Sequence, residues 1–194
     1  MLKYFVAAGL ALGLAASTAV AGPPLDRDQA TKLMARPGSW IGVDGSMLPD
    51  GTFSAKEAEI YAPGDSATLE EAAIYGPITM LNRAKSSMRV LNYTITWDET
   101  TTLKDQNKRQ ILSSKLKDGL GVKVQGHLQP NGTFKATKIK LHKGKNKNGK
   151  FEAKEAIFGP VRVVDGRAGV LRIMDTAVQL RDNATMLEAV PNAD

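Results

Sequence analysis

The sequence predicts a mainly β protein: two small five-stranded barrels from an internal duplication, each with one short helix. Three observations carry that prediction. Ile41-Gly-Val-Asp-Gly45, Leu48-Pro-Asp-Gly-Thr-Phe53 and Ala55 return 81 residues later as Val122-Lys-Val-Gln-Gly126, Gln129-Pro-Asn-Gly-Thr-Phe134 and Ala136. Ala73-Ile-Tyr-Gly-Pro-Ile78 through Leu103 returns 83 residues later as Ala156-Ile-Phe-Gly-Pro-Val161 through Met186. Between turn signals, apolar residues recur with the period of two that belongs to half-buried strands.

Each unit opens with a helical signal. Asp26 and Asp28 can cap a segment whose Ala30, Leu33 and Met34 share one face, stopped by Pro37-Gly38. In the second unit the spacing predicts a helix from Asp105 to Leu116, with Ile111, Leu112 and Leu116 on one face and Asp118-Gly119 as its stop. Both are short enough to need tertiary support. Strands follow. Val122, Val124 and Leu128 share one face and Lys123, Gln125 and His127 the other, with Ile41 and Val43 as the matching pair in the first unit.

Pro49-Asp50-Gly51 and Pro130-Asn131-Gly132 fix φ at proline and allow positive φ at glycine, so each closes a hairpin with return strands Phe53 to Tyr61 and Phe134 to His142. Further strands are expected over Ile74 to Leu81, Met88 to Leu91 and Tyr93 to Trp97, then Ile157 to Val164, Leu171 to Met174 and Thr176 to Leu180. Gly76-Pro77 and Gly159-Pro160 predict an edge or a bulge, because proline cannot donate to a ladder.

From Ala72 the order strand, strand, strand, helix, strand, strand is that of an OB-fold barrel. A V-x-V-x-G strand, a D/N-G-T-F turn and an A-x-x-I return strand also make Ala72 to His142 resemble exported bacterial OB-like domains of unknown function. That resemblance implies no catalytic residues. The expected domains are a central OB-like barrel over 72–142 and a second, composite OB-like barrel from 25–61 plus 155–187, joined by a basic linker over 143–154. Two alternatives stay open: a homodimer that exchanges these half-barrels between chains, and a permuted barrel in sequence order with contacts confined to residues 25–103.

Compartment follows from the first residues. Lys3, the apolar run from Tyr4 to Ala16 and the small residues Ala19-Val20-Ala21 read as a secretory signal over 1–21, with the mature chain starting at Gly22. The run is shorter than the roughly 20 residues a bilayer needs, so no transmembrane segment is expected in the mature form, which would be periplasmic or secreted. There is no cysteine, hence no disulfide framework, thiolate metal site or lipidated cysteine.

The net charge of +6 is unevenly spread. Gly22 to Leu103 holds 7 Lys and Arg against 11 Asp and Glu, Lys104 to Lys150 holds 13 against 2, and Phe151 to Asp194 holds 5 against 7. Such a central band suits an anionic polymer, or the chain's own acidic flanks. The candidate polyanion-binding residues are Lys123, Lys135, Lys138, Lys140, Lys143, Lys145 and Lys147.

A second set comes from a charge reversal at repeated positions. Glu57 and Glu59 in one return strand become Lys138 and Lys140 in the other, which makes these four the candidates for inter-barrel charge pairing. Chemistry has less support. His127 and His142 sit on one hairpin, where the register predicts Lys135 opposite His127, so the imidazoles should not converge. Asp44, Asp50, Asp98, Asp165 and Asp175 fall at expected turns. Tyr93, Ile95 and Trp97 share a strand face read as core, as do Met47, Met80 and Met88, while Trp40 is read as packing beneath the first helix. The calcium-like spacing from Lys143 to Glu155 is crowded with lysines. We therefore expect no enzyme, cofactor or metal. The leading expectation is a structural or protein-interaction module of the bacterial envelope with partners unknown, the alternative a binder of nucleic acid or acidic polysaccharide.

Overall fold

Tight turns and close backbone approaches organise the strands. The computed structural model describes residues 20–63, 69–142, 155–165 and 168–190. Its strands are β1 (Val20–Pro24), β2 (Trp40–Met47), β3 (Phe53–Tyr61), β4 (Ala72–Asn82), β5 (Ser87–Val90), β6 (Tyr93–Thr96), β7 (Thr102–Lys104), β8 (Gly121–Leu128), β9 (Phe134–Leu141), β10 (Glu155–Asp165), β11 (Val170–Ile173) and β12 (Thr176–Val190). The helix α1 spans Arg27–Met34. Asp26 caps it, accepting from the Gln29 amide while the Gln29 side chain accepts from the Asp26 amide, and Ala30, Leu33 and Met34 are buried.

The central strands close a barrel. β4 pairs antiparallel with β5 and β5 with β6; β6 runs parallel to β9; β9 pairs antiparallel with β8, and β8 returns to β4. The other ladders follow the same order: β10 with β11, β11 with β12, β12 parallel to β3, β3 with β2, and β2 back to β10. β1 adds to β12, and β7 runs parallel to β9. The two sets join where β4 meets β10 antiparallel, through Tyr75↔Ala156, Ile74↔Ile157 and Ala73↔Phe158. Ile74 and Ile157, separated by the 83-residue sequence offset, face each other directly across this ladder.

Glycines set how closely the strands approach. A Cβ on Gly45 would lie 2.0 Å from the Ser54 carbonyl oxygen, and one on Gly126 would lie 2.0 Å from that of Lys135. Both glycines stand at a register shift where the hairpin kinks. Gly51 and Gly132 close the two turns at φ of 85° and 80°. There the Thr52 amide donates to Asp50 Oδ1 and the Thr133 amide to Asn131 Oδ1, at 2.8 and 3.0 Å. Pro77 and Pro160 end the β4–β8 and β10–β2 ladders, where the lost donor is tolerated. Ile41, Val43, Ile60, Ile74, Val122, Val124, Ile139 and Ile157 belong to one continuous core.

Three expectations are corrected. No α-helix forms over 105–116. Instead Asp105 Oδ1 accepts from the Asn107 and Arg109 amides at 2.8 and 2.9 Å, and Lys104 bridges to Gln110. An aspartate that satisfies local amides this way competes with a helical turn. Only a 3-10 turn at Ser113–Lys115 remains, with Leu116 buried and Leu112 exposed. Met80 is exposed, held at φ 53°, and is no core residue. Asp44 lies within β2 and is buried, away from any turn. Of the expected signal segment 1–21, residues 1–19 lie outside the described residues, whereas Val20 and Ala21 belong to β1 and pair with Val190 and Ala189; the linker 143–154 also lies outside them.

Replacing Gly126 or Gly45 by alanine forces a methyl group onto a carbonyl, and we expect a loss of roughly 3 kcal/mol or more for each in urea unfolding. Gly51→Ala, with open space around its Cβ, should cost about 1 kcal/mol through its positive φ alone.

Candidate functional site

The face of β3, β2, β10, β4, β8, β9 and β7 opposite the core runs on from strand to strand through the β4–β10 ladder; its middle is buried, and Glu57, Tyr75, Lys138, Lys140, Thr102 and Lys104 on it are half-buried. Cross-strand register sets two rows across it. One runs Glu57, Asp44, Ala156, Tyr75, Lys123, Lys140, Lys104. The other runs Glu59, Gly42, Phe158, Ala73, Gln125, Lys138, Thr102. Carboxylates occupy one end and ammonium groups the other.

Several of these charges are withdrawn from water. Asp44 and Glu59 are each 5 % exposed and Lys123 is 8 % exposed, whereas Glu57, Lys138, Lys140 and Lys104 are half-buried. Burial raises the Glu59 pKa, with Glu57 and Asp44 adding to the effect; Tyr61 Oη, donating to Glu59 Oε2 at 3.0 Å, opposes it. Tyr61 itself is pushed up by burial and by Glu59. Burial, with Asp44 nearby, pushes Tyr75 up to about 12. At the other end burial pushes Lys123 down to about 8, and Lys140 and Lys138 act in the same direction. His142 is lowered by burial, Lys140 and Lys123.

Aromatic rings line the middle of the face. Phe158 is fully buried, with Trp40 at 5.2 Å and Tyr61 at 5.4 Å between centroids, and Tyr75 stands 4.6 Å from His142. Tyr61 and His142 are separated by the 81-residue sequence offset, and Tyr75 and Phe158 by the 83-residue one. Trp40 finds a ring partner in Phe158 and packs against the core that also holds Ala30, Leu33 and Met34 of α1. His142 is half-buried against Tyr75, while His127 is exposed opposite Lys135. Tyr93, Ile95 and Trp97 are buried as expected.

Of the seven candidate lysines, the fold brings Lys123, Lys138 and Lys140 together. Lys135 is engaged elsewhere, 3.0 Å from Asp98, whose carboxyl is held well below the usual range by the Thr100 hydroxyl and by Lys135. At the sequence offsets of 83 and 81 residues from Asp98 and Lys135 stand Arg181 and Ser54, with Arg181 Nε donating to Ser54 Oγ at 2.9 Å. Lys143, Lys145 and Lys147 lie outside the described residues. Glu57 and Glu59 stand at the far end of the face from Lys138 and Lys140, and among the described residues no ion pair joins the two sets. Sequence reasoning missed Lys104; its signal was the alternation Thr102-Leu103-Lys104, which the expected helix overshadowed.

The strands that carry this basic end coincide with a family match. Residues 75–140 match the model of a domain of unknown function, DUF5666. The DUF5666 match starts at Tyr75 and ends at Lys140, so it includes Lys104, Lys123 and Lys138 and excludes the carboxylates of β2 and β3. No curated protein and no solved structure matches the chain. Among the described residues no group of three or more His, Cys, Asp or Glu could hold a metal ion, and no helix is long and apolar enough to cross a membrane.

The titrating groups set an alkaline stability profile. Below about pH 8 Lys123 is protonated in both states and the folded chain bears its burial; from about 8 to the ordinary 10.5 the unfolded chain holds more protons, so stability rises with pH. Tyr75 and Tyr93, both raised from 10.0 to about 12, reverse the trend above pH 10, where the unfolded chain ionises first. Urea midpoints measured across this range should therefore peak near pH 10, and Lys123→Met should flatten the rising limb.

Proposed function

We propose that the chain is an exported, non-catalytic protein of two OB-like barrels that works as a structural or protein-interaction module of the bacterial envelope. The OB-like reading is supported by the strand order β4-β5-β6-β9-β8 with its parallel β6–β9 ladder, and by the same order in β10-β11-β12-β3-β2 with its parallel β12–β3 ladder. Duplication is supported by contacts recurring at the repeat offsets. Gly76 approaches Leu91, and Gly159 approaches Met174; Leu91 and Met174 share the left-handed backbone, at φ 55° and 52°. The secretory pattern in residues 1–21 supports a periplasmic or secreted location.

The observation that carries the interaction reading is the two-signed face. Acidic and basic ends on one surface orient an approaching partner and raise its association rate. A second copy of the chain satisfies both ends when turned about a twofold.

A second reading, binding of anionic polymers, is favoured by the alignment of Lys104, Lys140 and Lys123 across three strands, with Lys138 beside them. Because Tyr93, Ile95 and Trp97 face the core, such binding would rest on charge, without the base stacking that exposed rings provide.

Sedimentation velocity on residues 22–194 at low and moderate salt tests the first reading. We expect salt-sensitive self-association that weakens in Lys138→Glu/Lys140→Glu and recovers when that variant is mixed with Glu57→Lys. A monomer at all concentrations, with labelled heparin or single-stranded DNA bound in a steeply salt-dependent way, would shift the assignment to the second reading.

A further inference from the structure

We propose that Lys123, Lys138, Lys140 and His142 form a discrete site for a single phosphate- or sulfate-class oxyanion on the outer wall of β8 and β9. The proposal rests on the polyanion reading and sharpens it: one defined anchoring group in place of a diffuse basic surface.

Register brings the cations together. Lys123 faces Lys140 directly across the β8–β9 ladder, and Lys138 stands two residues along the same face opposite Gln125. Tyr75 is the cross-strand neighbour of Lys123 on the other side, and His142 packs against the Tyr75 ring. The Tyr75–His142 ring pair thus stands beside the cluster, and Gln125, opposite Lys138 on β8, is 7 % exposed.

Folding alone disfavours this arrangement. Like charges directly opposite each other on a sheet are destabilising, and withdrawing an ammonium group from water costs more unless a counter-charge is present. Yet among the described residues the two ion pairs are Arg27–Asp182 and Lys135–Asp98, and neither reaches this cluster. A bound oxyanion supplies the missing charge, with each lysine acting as a point charge and donor.

The other copy of the repeat acts as an internal control. There the position of Lys123 is Gly42, those of Lys138 and Lys140 are Glu57 and Glu59, and that of His142 is Tyr61, on the same ladder geometry. The backbone frame folds without any of the cations. Their convergence is therefore not imposed by the fold, and an anion ligand accounts for it.

The test uses the full mature chain with inorganic phosphate and inorganic sulfate as probes, against chloride at matched ionic strength. Wild-type protein should show a higher thermal midpoint in phosphate or sulfate and a broadened phosphorus-31 resonance from phosphate. Lys123→Met keeps the apolar stem; it should raise the midpoint in chloride and abolish the phosphate increment. Lys140→Gln, at a half-exposed position, should weaken phosphate about tenfold.

Heparin or single-stranded DNA that competes with phosphate identifies the polymer as the source of the group. An intact phosphate response without polymer binding identifies the free ion, and the site stands although the polymer reading fails. A phosphate increment that persists in Lys123→Met overturns the site. So does its absence in wild type, even where heparin still binds, and in that case the polymer reading survives alone.

Discussion

Three residue pairs hold the molecule's plan together: Tyr75 with Ala156, Ile74 with Ile157, and Ala73 with Phe158. Each of these strands would otherwise present an open edge there, with unpaired amides and carbonyls. Pairing the two edges antiparallel closes both at once. It also sends Ile74 and Ile157 into one core and leaves their neighbours on one outer face. Without this ladder the carboxylates of β2 and β3 and the lysines of β8 and β9 would lie on unrelated surfaces.

The central pairing explains which parts of the structure were legible in the sequence. Hairpins β2–β3 and β8–β9 were readable because their turns are local chemistry: an Asp or Asn side chain takes the threonine amide, and a glycine takes the positive φ. The ladders of β2 with β10 and of β3 with β12 join strands far apart in sequence, and no local signal sets their register. The segment 105–116 misled because its apolar spacing is helical while Asp105 binds its own downstream amides. Propensity lost there to a side chain competing with the helix.

The candidate face was less legible than the fold. The exchange of Glu57 and Glu59 for Lys138 and Lys140 was visible from the repeat alone, but the company these residues keep depends on strand neighbours distant in sequence. Nothing local marks Tyr75 as the neighbour of Lys123, or Asp44 as a buried mid-strand carboxylate. The same ladder geometry carries either sign of charge. Charge here is therefore a property laid over the barrel wall and is not part of what holds the wall together.

The parallel ladder between β12 and β3 joins Val178 to Phe53 and Glu188 to Ile60, across more than half of the chain. A polypeptide emerging from its N-terminus can complete the ring of β4, β5, β6, β8 and β9 while the β2–β3 hairpin still waits for its partners. Closing so long a loop is entropically slow. The long-range ladder therefore carries the larger closure entropy, whereas the ladders among β4, β5, β6, β8 and β9 need only residues 72–141.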